Sequence, residues 1–332
     1  MERLAQLKHW LGTRYPGRQI DLAPASADAS FRRYFRVHVE GEPTSFIAMD
    51  APPEKEDTAP FIRIAKLFGD SGAQVPTVLD ADTEAGFLLL TDLGDTTYLS
   101  ALDADSAHAL YADALGALIC IQKASVPDVL PNYDRERLLA EMQLFPDWYL
   151  AHHKHITLDD AERKILDTVF ERLLDAHLAE PKVFVHRDFH SRNLMVTEHG
   201  AGVLDFQDAV YGPITYDLAS LFKDAYIDWD EAFVLDMLAR YWEAARQIGL
   251  PVHADFAEFH RDFEWMGVQR HLKVLGIFAR LCHRDGKAGY LDDMPRVSHY
   301  LRKACQRYSE LRPLIRILNR CDPVDETVGY TF

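Results

Sequence analysis

The chain has 332 residues, enough for two lobes that each bury a core, and its 48% hydrophobic and 27% charged content is that of an ordinary globular protein. A formal net charge of −16 argues against duplex nucleic acid as a partner, because a phosphate-binding surface needs a basic excess. No apolar run approaches a membrane span, and Cys120, Cys282, Cys305 and Cys321 show neither CxxC spacing nor a His partner pattern, so a cytoplasmic protein with free thiols is expected, without membrane, zinc site or disulfide framework.

Residues 2–15 place Leu4, Leu7, Trp10 and Leu11 on one face and read as a packing helix. Small residues at 28–30 lead into alternating Tyr34, Arg36 and His38, a turn followed by a strand. A second strand at 45–50 ends in Met49-Asp50, ahead of a Pro- and acid-rich loop carrying Lys55. A short amphipathic helix at 61–68 precedes two antiparallel strands, 75–79 and 86–90, and a turn at 91–95. From residue 106 onward helices dominate. The first, 107–123, puts Leu110, Ala114, Ala117, Leu118 and Ile121 on one face, where the alanines allow close approach of a neighbour. A helix at 136–153 is rich in aromatics, and one at 157–178 opens on a capping-box-like Thr157-Leu158-Asp159-Asp160. The run His152-His153-Lys154-His155 looks like a metal tract, but adjacent histidines cannot all face one ion, and a solvated loop is expected.

The segment 183–208, VFVHRDFHSRNLMVTEHGAGVLDFQD, organises the rest. It reads as three short apolar strands, 183–185, 194–196 and 202–204, each ending in polar residues. An Asp and an Asn on one tight loop, facing an Asp at the end of a neighbouring strand, suit nucleotide chemistry: one carboxylate can take a proton from a hydroxyl nucleophile while the Asn oxygen and the other carboxylate hold Mg²⁺. Phosphoryl transfer needs that division, since its barrier is mostly positioning and charge neutralisation. Next come a turn at 211–214 and a helix opened by Thr215-Tyr216-Asp217, then long helices at 231–248 and 255–283 and a helical surface tail at 291–318. The second long helix carries Gln269, Arg270, His271 and Lys273 amid apolar residues, the pattern of a cleft-lining face, with snorkelling core cations as the alternative.

His186-Arg187-Asp188 with Asn193 matches the protein-kinase catalytic loop H-R-D-x-x-x-x-N, and Asp205 stands where kinases carry D-F-G, although Phe206 and Gln207 follow it and the Gly is missing. With LDFQDA and TYDLASL, the chain resembles the aminoglycoside phosphotransferase-like branch of the kinase fold. DASFRRYFRV, HRDFHSRNLM, LDFQDAVYGPITYDLASL and QRHLKVLGIFARL look like the bacterial amino-sugar kinases of cell-wall recycling, which act on N-acetylmuramate and N-acetylglucosamine, and the likeness runs from about residue 28 to about residue 300.

The resemblance implies an α+β, protein-kinase-like bilobal fold: a small β-rich amino lobe over 1–92, a hinge at 91–95, and a larger helical carboxy lobe over 93–332. It implies ATP and Mg²⁺, a small-molecule amino sugar as the acceptor, phosphorylated at its anomeric hydroxyl, and no obligate protein partner. Asp188 then orients the nucleophile and accepts its proton, Asn193 and Asp205 hold the metal, and His186 and Asp217 brace the loop. Ser30, Phe31, Arg32 and Arg33 lie where a phosphate loop belongs, although it holds no glycine. The strand lysine that pairs with ATP phosphates is also missing, leaving Arg32, Arg33 or Lys55 to supply the charge. Thr91, Asp92 and Leu93 are placed to meet adenine; His190, Arg192, Gln207 and Asp208 surround the acceptor, with Arg270 or Lys273 available to a sugar carboxylate. Two rivals follow from the same residues: a kinase of the same fold acting on an aminoglycoside, choline or homoserine, and a nucleotide-binding pseudokinase suggested by the missing lysine.

Overall fold

The structure is a computed structural model, described here for residues 2–27 and 31–322. In chain order the first elements are α1 (Glu2–Arg14), β1 (Ile20–Ala27), β2 (Arg33–Val39), β3 (Phe46–Asp50), α2 (Ala59–Asp70), β4 (Val78–Asp82), β5 (Phe87–Thr91), α3 (Tyr98–Ala101) and α4 (Ala107–Lys123). There follow α5 (Arg135–Leu144), a π-helix (Phe145–His153), α6 (Asp160–Ala179), β6 (Lys182–Val185), β7 (Leu194–Thr197), β8 (Gly200–Val203) and β9 (Val210–Pro213). The chain closes with α7 (Tyr216–Phe222), α8 (Glu231–Gln247), α9 (Phe256–Asp285), a 3₁₀ turn (Ala288–Asp293), α10 (Met294–Arg307) and α11 (Leu314–Cys321). It divides into two compact units, residues 1–124 with 192–209, and residues 125–191 with 210–332. The first unit thus runs past the 92/93 boundary expected from the hinge and takes in α3, α4 and the β7–β8 hairpin.

In the first unit an antiparallel five-stranded sheet has the order β1-β2-β3-β5-β4. Alternation along β2, β3 and β5 turns Val37, Val39, Ala48, Phe87 and Leu89 to one core, where Leu7, Trp10 and Leu11 of α1 cover them. Each such fully buried side chain contributes roughly 1.5–3 kcal/mol. The other face of β5 buries Leu88 and Leu90, so this central strand is apolar on both sides. Gly86 ends the β4–β5 turn at φ +74°, where a Cβ would lie 1.9 Å from the Ala51 carbonyl oxygen, so only glycine fits where this turn meets the end of β3. β8 joins this unit through Gln74, whose carbonyl accepts from Val203 N at 2.7 Å, and it packs against α4. β1 was not expected from the sequence: Ile20–Ala27 carries a Pro and lacks clean alternation, and it is a strand because it pairs at the sheet edge with β2.

The second unit is helical around α9, thirty residues long and buried along most of its middle. Gly276 lets α9 touch the end of α5, since a Cβ there would lie 2.4 Å from the Leu144 backbone. The single helix expected at 136–153 is instead α5 followed by π-helical turns, because Pro146 has no N–H to continue the ladder. His152 and His153 stack on Trp148 and Tyr149 in those turns, and His153 Nδ1 meets His283 Nε2 at 3.3 Å. The expected turn at 211–214 is β9, which pairs in antiparallel register with β6. The capping box of α6 sits at Asp159 and Glu162 rather than at Thr157. The tail is two helices and a 3₁₀ turn. All four cysteines are free.

One buried pair ties α6 to α7. His177 Nδ1 lies 3.2 Å from Glu180 Oε1, and Glu180 Oε2 accepts from the Thr215 hydroxyl at 2.6 Å. Burial pushes Glu180 up to about 8 and His177 down to about 3, so the pair holds one proton on the carboxyl. Between pH 6.5 and 8 the unfolded chain has released that proton while the folded pair keeps it, so stability falls as pH rises through this window. Glu180→Gln reproduces the protonated side chain, and its melting temperature is expected to lose that slope over pH 6.5–8; a slope equal to the parent's refutes the assignment.

Candidate active site

Two clusters carry the expected site residues, one in each unit. In the second unit β6 delivers the loop that starts at His186, and the chain there is held by its own peptide groups. Asp217, fully buried on α7, accepts from His186 N at 2.7 Å and from Arg187 N at 3.0 Å. Burial pushes the Asp217 carboxyl up, against these bonds and the nearby His186. His186 is buried too, and its Nδ1 accepts from Asp188 N at 3.2 Å. Arg187 adopts φ +80°, a left-handed backbone that side chains with a Cβ rarely take and that marks functional loops.

Asp188 follows with 40% of its side chain exposed and Arg270 Nη1 at 3.8 Å from its Oδ1. Desolvation would raise its carboxyl, but the charges of Lys273 and Arg270 outweigh it and hold Asp188 well below the usual carboxylate range. Arg270 and Lys273, expected on a cleft wall, are buried side chains beneath this loop. Arg270 donates to the Arg187 carbonyl at 3.0 Å; Lys273 donates to Tyr216 Oη at 3.0 Å and pairs with Glu141 Oε1 at 3.1 Å. Glu141 also takes Arg187 Nη2 at 2.5 Å and the Tyr133 hydroxyl. His190 packs edge-on to Tyr226, and burial pushes it down to about 4, so it is neutral near pH 7. Asp224 closes the loop by accepting from Ser191 N at 2.9 Å.

In the first unit Asn193 O accepts from Leu204 N at 2.9 Å, and Asn193 Nδ2 lies 3.4 Å from Asp205 Oδ2. Asp205, like Arg187, has positive φ (+62°), and Phe206 beyond it is fully buried against Phe61 and Phe68 of α2. Gln207, expected to meet substrate, donates from Nε2 to Asp205 Oδ1 at 2.8 Å and orients that carboxylate. Asp208 and Arg192 are exposed. An amide oxygen and a carboxylate are hard donors, and Mg²⁺ bound with a nucleotide usually takes only one or two protein oxygens, so these residues fit the ion.

Of the expected phosphate loop, Ser30 lies outside the described residues. Phe31 is 62% exposed; its N–H donates to Glu56 Oε1 at 3.0 Å, and Lys55 lies over its ring. Arg32 Nη2 is 3.5 Å from Asp205 Oδ1. Arg33 instead joins Arg3 in pairing with the fully buried Asp50, which occupies the position of the kinase lysine. At the expected adenine turn, Thr91 N donates to Thr77 O at 3.0 Å. Burial would raise Asp92, but Arg36, Ser45 and the Gly94 N–H hold it below the usual range. Leu93 packs over Gly202. Sequence reasoning passed over Glu141, Tyr133, Asp224 and Gln207's orienting role. Glu141 lay in a helix read as scaffold, and only a charged residue on an otherwise buried face could have flagged it.

The fold is that of the protein-kinase-like phosphotransferases, and the chain belongs to the phosphotransferase enzyme family, whose model matches residues 21–258. At 52% identity over the full length of both chains it is similar to the N-acetylmuramate/N-acetylglucosamine kinase of Neisseria meningitidis serogroup B. A protein of the same description from Pseudomonas aeruginosa is 48% identical, over 95% of this chain and 96% of that one. Among solved structures, a choline kinase from Cryptosporidium parvum matches with TM-score 0.65 at 12% identity, covering 95% of this chain and 99% of that one. An ADP-bound aminoglycoside phosphotransferase matches with TM-score 0.57 at 15% identity, covering 90% and 98% respectively.

Asp217→Asn keeps one acceptor but turns an amide NH₂ toward the second loop N–H. Leaving that buried donor unpaired costs about 1–3 kcal/mol. The variant is expected to melt several degrees lower and to lose most turnover, read by thermal shift and steady-state rate; parent-like values for both would show that the carboxylate does not hold the loop.

Proposed function

We propose that the protein transfers the γ-phosphoryl group of ATP to the anomeric hydroxyl of N-acetylmuramate and N-acetylglucosamine, giving sugar 1-phosphates that return cell-wall sugars to use. One observation carries the reading: identity of 48–52% over nearly the whole chain to kinases described by those two substrates. The side chains the reaction requires, Asp188, Asn193 and Asp205, are all present in the sequence, which supports the reading.

Asp188 orients the sugar hydroxyl and accepts its proton as the oxygen–phosphorus bond forms and the bond to the ADP oxygen breaks. Held ionised by neighbouring cations, it is a weak base, which suits a loose transition state where the proton leaves late and orientation dominates. Asn193 and Asp205 are assigned to Mg²⁺, which when bound neutralises charge on the phosphates. Gln207 keeps the Asp205 carboxylate in place. Arg32 is the cation we assign to the polyphosphate, since Arg33 is taken by Asp50. The backbone at 91–93 is assigned to adenine. His190, Arg192 and Asp208 are assigned to the sugar; Arg270 and Lys273 support Asp188 from below. Among the described residues no helix is long and apolar enough to cross a membrane, and we place the enzyme in the cytoplasm, where ATP is supplied.

The test is ADP release with Mg·ATP and N-acetylmuramate, N-acetylglucosamine, kanamycin or choline, with ³¹P NMR of the product. An anomeric phosphate from the two amino sugars is the expected result; turnover on kanamycin or choline alone would overturn the substrate. Asp188→Asn is expected to lower kcat by about 10³-fold or more while ATP still binds, and a folded variant with near-parent turnover would overturn the base.

A further inference from the structure

The residue before Asp188 is restrained at its N–H, at its carbonyl and at one end of its guanidinium. Arg187 N donates to Asp217, and its carbonyl accepts from Arg270 Nη1. Its guanidinium reaches Glu141 Oε1 at 2.5 Å. Glu141 is itself fixed from two further sides, by the Tyr133 hydroxyl on Oε2 and by Lys273 Nζ at 3.1 Å from Oε1. Lys273 in turn donates to Tyr216 Oη at 3.0 Å, and the Tyr216 ring packs at a tilt against Tyr133 with ring centroids 5.2 Å apart. The chain of contacts closes into a buried ring lying wholly within the second unit.

We infer that Glu141 and Lys273 are positioning residues for phosphoryl transfer, tethering the Arg187 side chain so that its left-handed backbone, and with it the direction of Asp188, stays fixed. The inference rests on the reading above, in which Asp188 orients the acceptor hydroxyl.

Arginine does not favour φ +80°, so the conformation persists only while its surroundings over-determine it. Asp217 and Arg270 hold the two peptide groups flanking Arg187, but neither grips the side chain. Glu141 does, and it also places one negative charge between two buried cations, Arg187 and Lys273. Replacing that charge by an amide leaves the cations facing each other in a poorly solvated site, and the less buried of them is the guanidinium on the strained residue. A shift of the 187–188 peptide by a fraction of an ångström would misdirect the Asp188 carboxylate without touching ATP or sugar contacts. A merely stabilising ion pair would instead change melting temperature and leave kcat alone.

Glycine takes positive φ freely and alanine does not, which separates the two roles. Arg187→Ala is expected to lower kcat about 10–100-fold with KM values within about threefold. Arg187→Gly removes the same guanidinium, yet is expected to recover at least about fivefold of that kcat loss. Glu141→Gln is expected to lower kcat about tenfold in the parent, with Lys273→Met behaving alike, and to have less than about twofold effect in the Arg187→Gly background, where no tether is needed. Equal kcat for the Gly and Ala variants, or the same Glu141→Gln effect in both backgrounds, overturns the inference. Should the Arg187 variants not fold, an unchanged kcat for folded Glu141→Gln overturns it, and a kcat loss at constant KM sustains it. Asp188→Asn run alongside separates the two levels: if it stays active the phosphotransfer reading fails, whereas an inactive Asp188→Asn with indistinguishable Gly and Ala variants sinks the tether alone.

Discussion

One buried carboxylate, Asp217, takes the N–H groups of both His186 and Arg187, and the loop that presents Asp188 depends on that pairing. One carboxyl shared by two peptide donors satisfies both buried N–H groups at once, and its loss would leave them without a partner or water. The β6–β9 ladder brings the partners together. Val185, which leads into the loop, pairs with Val210, and Lys182 pairs with Pro213, two residues before α7 begins its approach at Thr215. Glu180 fixes Thr215 at that end, so α7 is pinned at its first turn before Asp217 meets the loop. Backbone register, one helix start and one carboxylate together place Asp188.

The buried charges around this loop are better read as geometry than as stability. Lys273, Arg270 and Glu141 each lose hydration on burial, and Arg187 in part, and pairing in a low dielectric rarely returns more than that loss. What the cluster does secure is ionisation and direction. The surrounding cations keep Asp188 charged, which makes it a poor general base yet a reliable hydrogen-bond acceptor. A reaction whose transition state has little proton transfer benefits from the second property and tolerates the first.

Much of this was legible because the relevant signals are local. Alternation in β2, β3 and β5, helical spacing in α1 and α4, and a loop of fixed spacing between two short strands are properties of a dozen residues at a time. What escaped depends on partners far along the chain. β1 and β9 have weak patterns and become strands through β2 and β6, and the π-helical turns follow from one proline acting within a helix that packs on α9. At the site, Asp188, Asn193 and Asp205 were readable as a motif, whereas Glu141 is 46 residues from the Arg187 it anchors. Gln207 looked like a ligand contact because nothing in the sequence says that its amide turns back to Asp205.

The departure from the kinase pattern at β3 follows the same logic of charge. Where the pattern has a lysine, this chain buries Asp50, and Arg3 from α1 and Arg33 from β2 converge on it. The polarity of the position is inverted, so it cannot serve a phosphate, and it draws Arg33 away from the loop ahead of β2. In the proposed site the compensating cation is Arg32, which precedes β2: its side chain is only 10% exposed and lies beside Asp205. A planar guanidinium can serve a carboxylate with one edge and present further N–H groups to phosphate oxygens, which an ammonium does less well. On the proposed assignment, the lost lysine and the adjacent arginines are one rearrangement, in which the strand keeps a buried charge for packing and the loop takes over the cation.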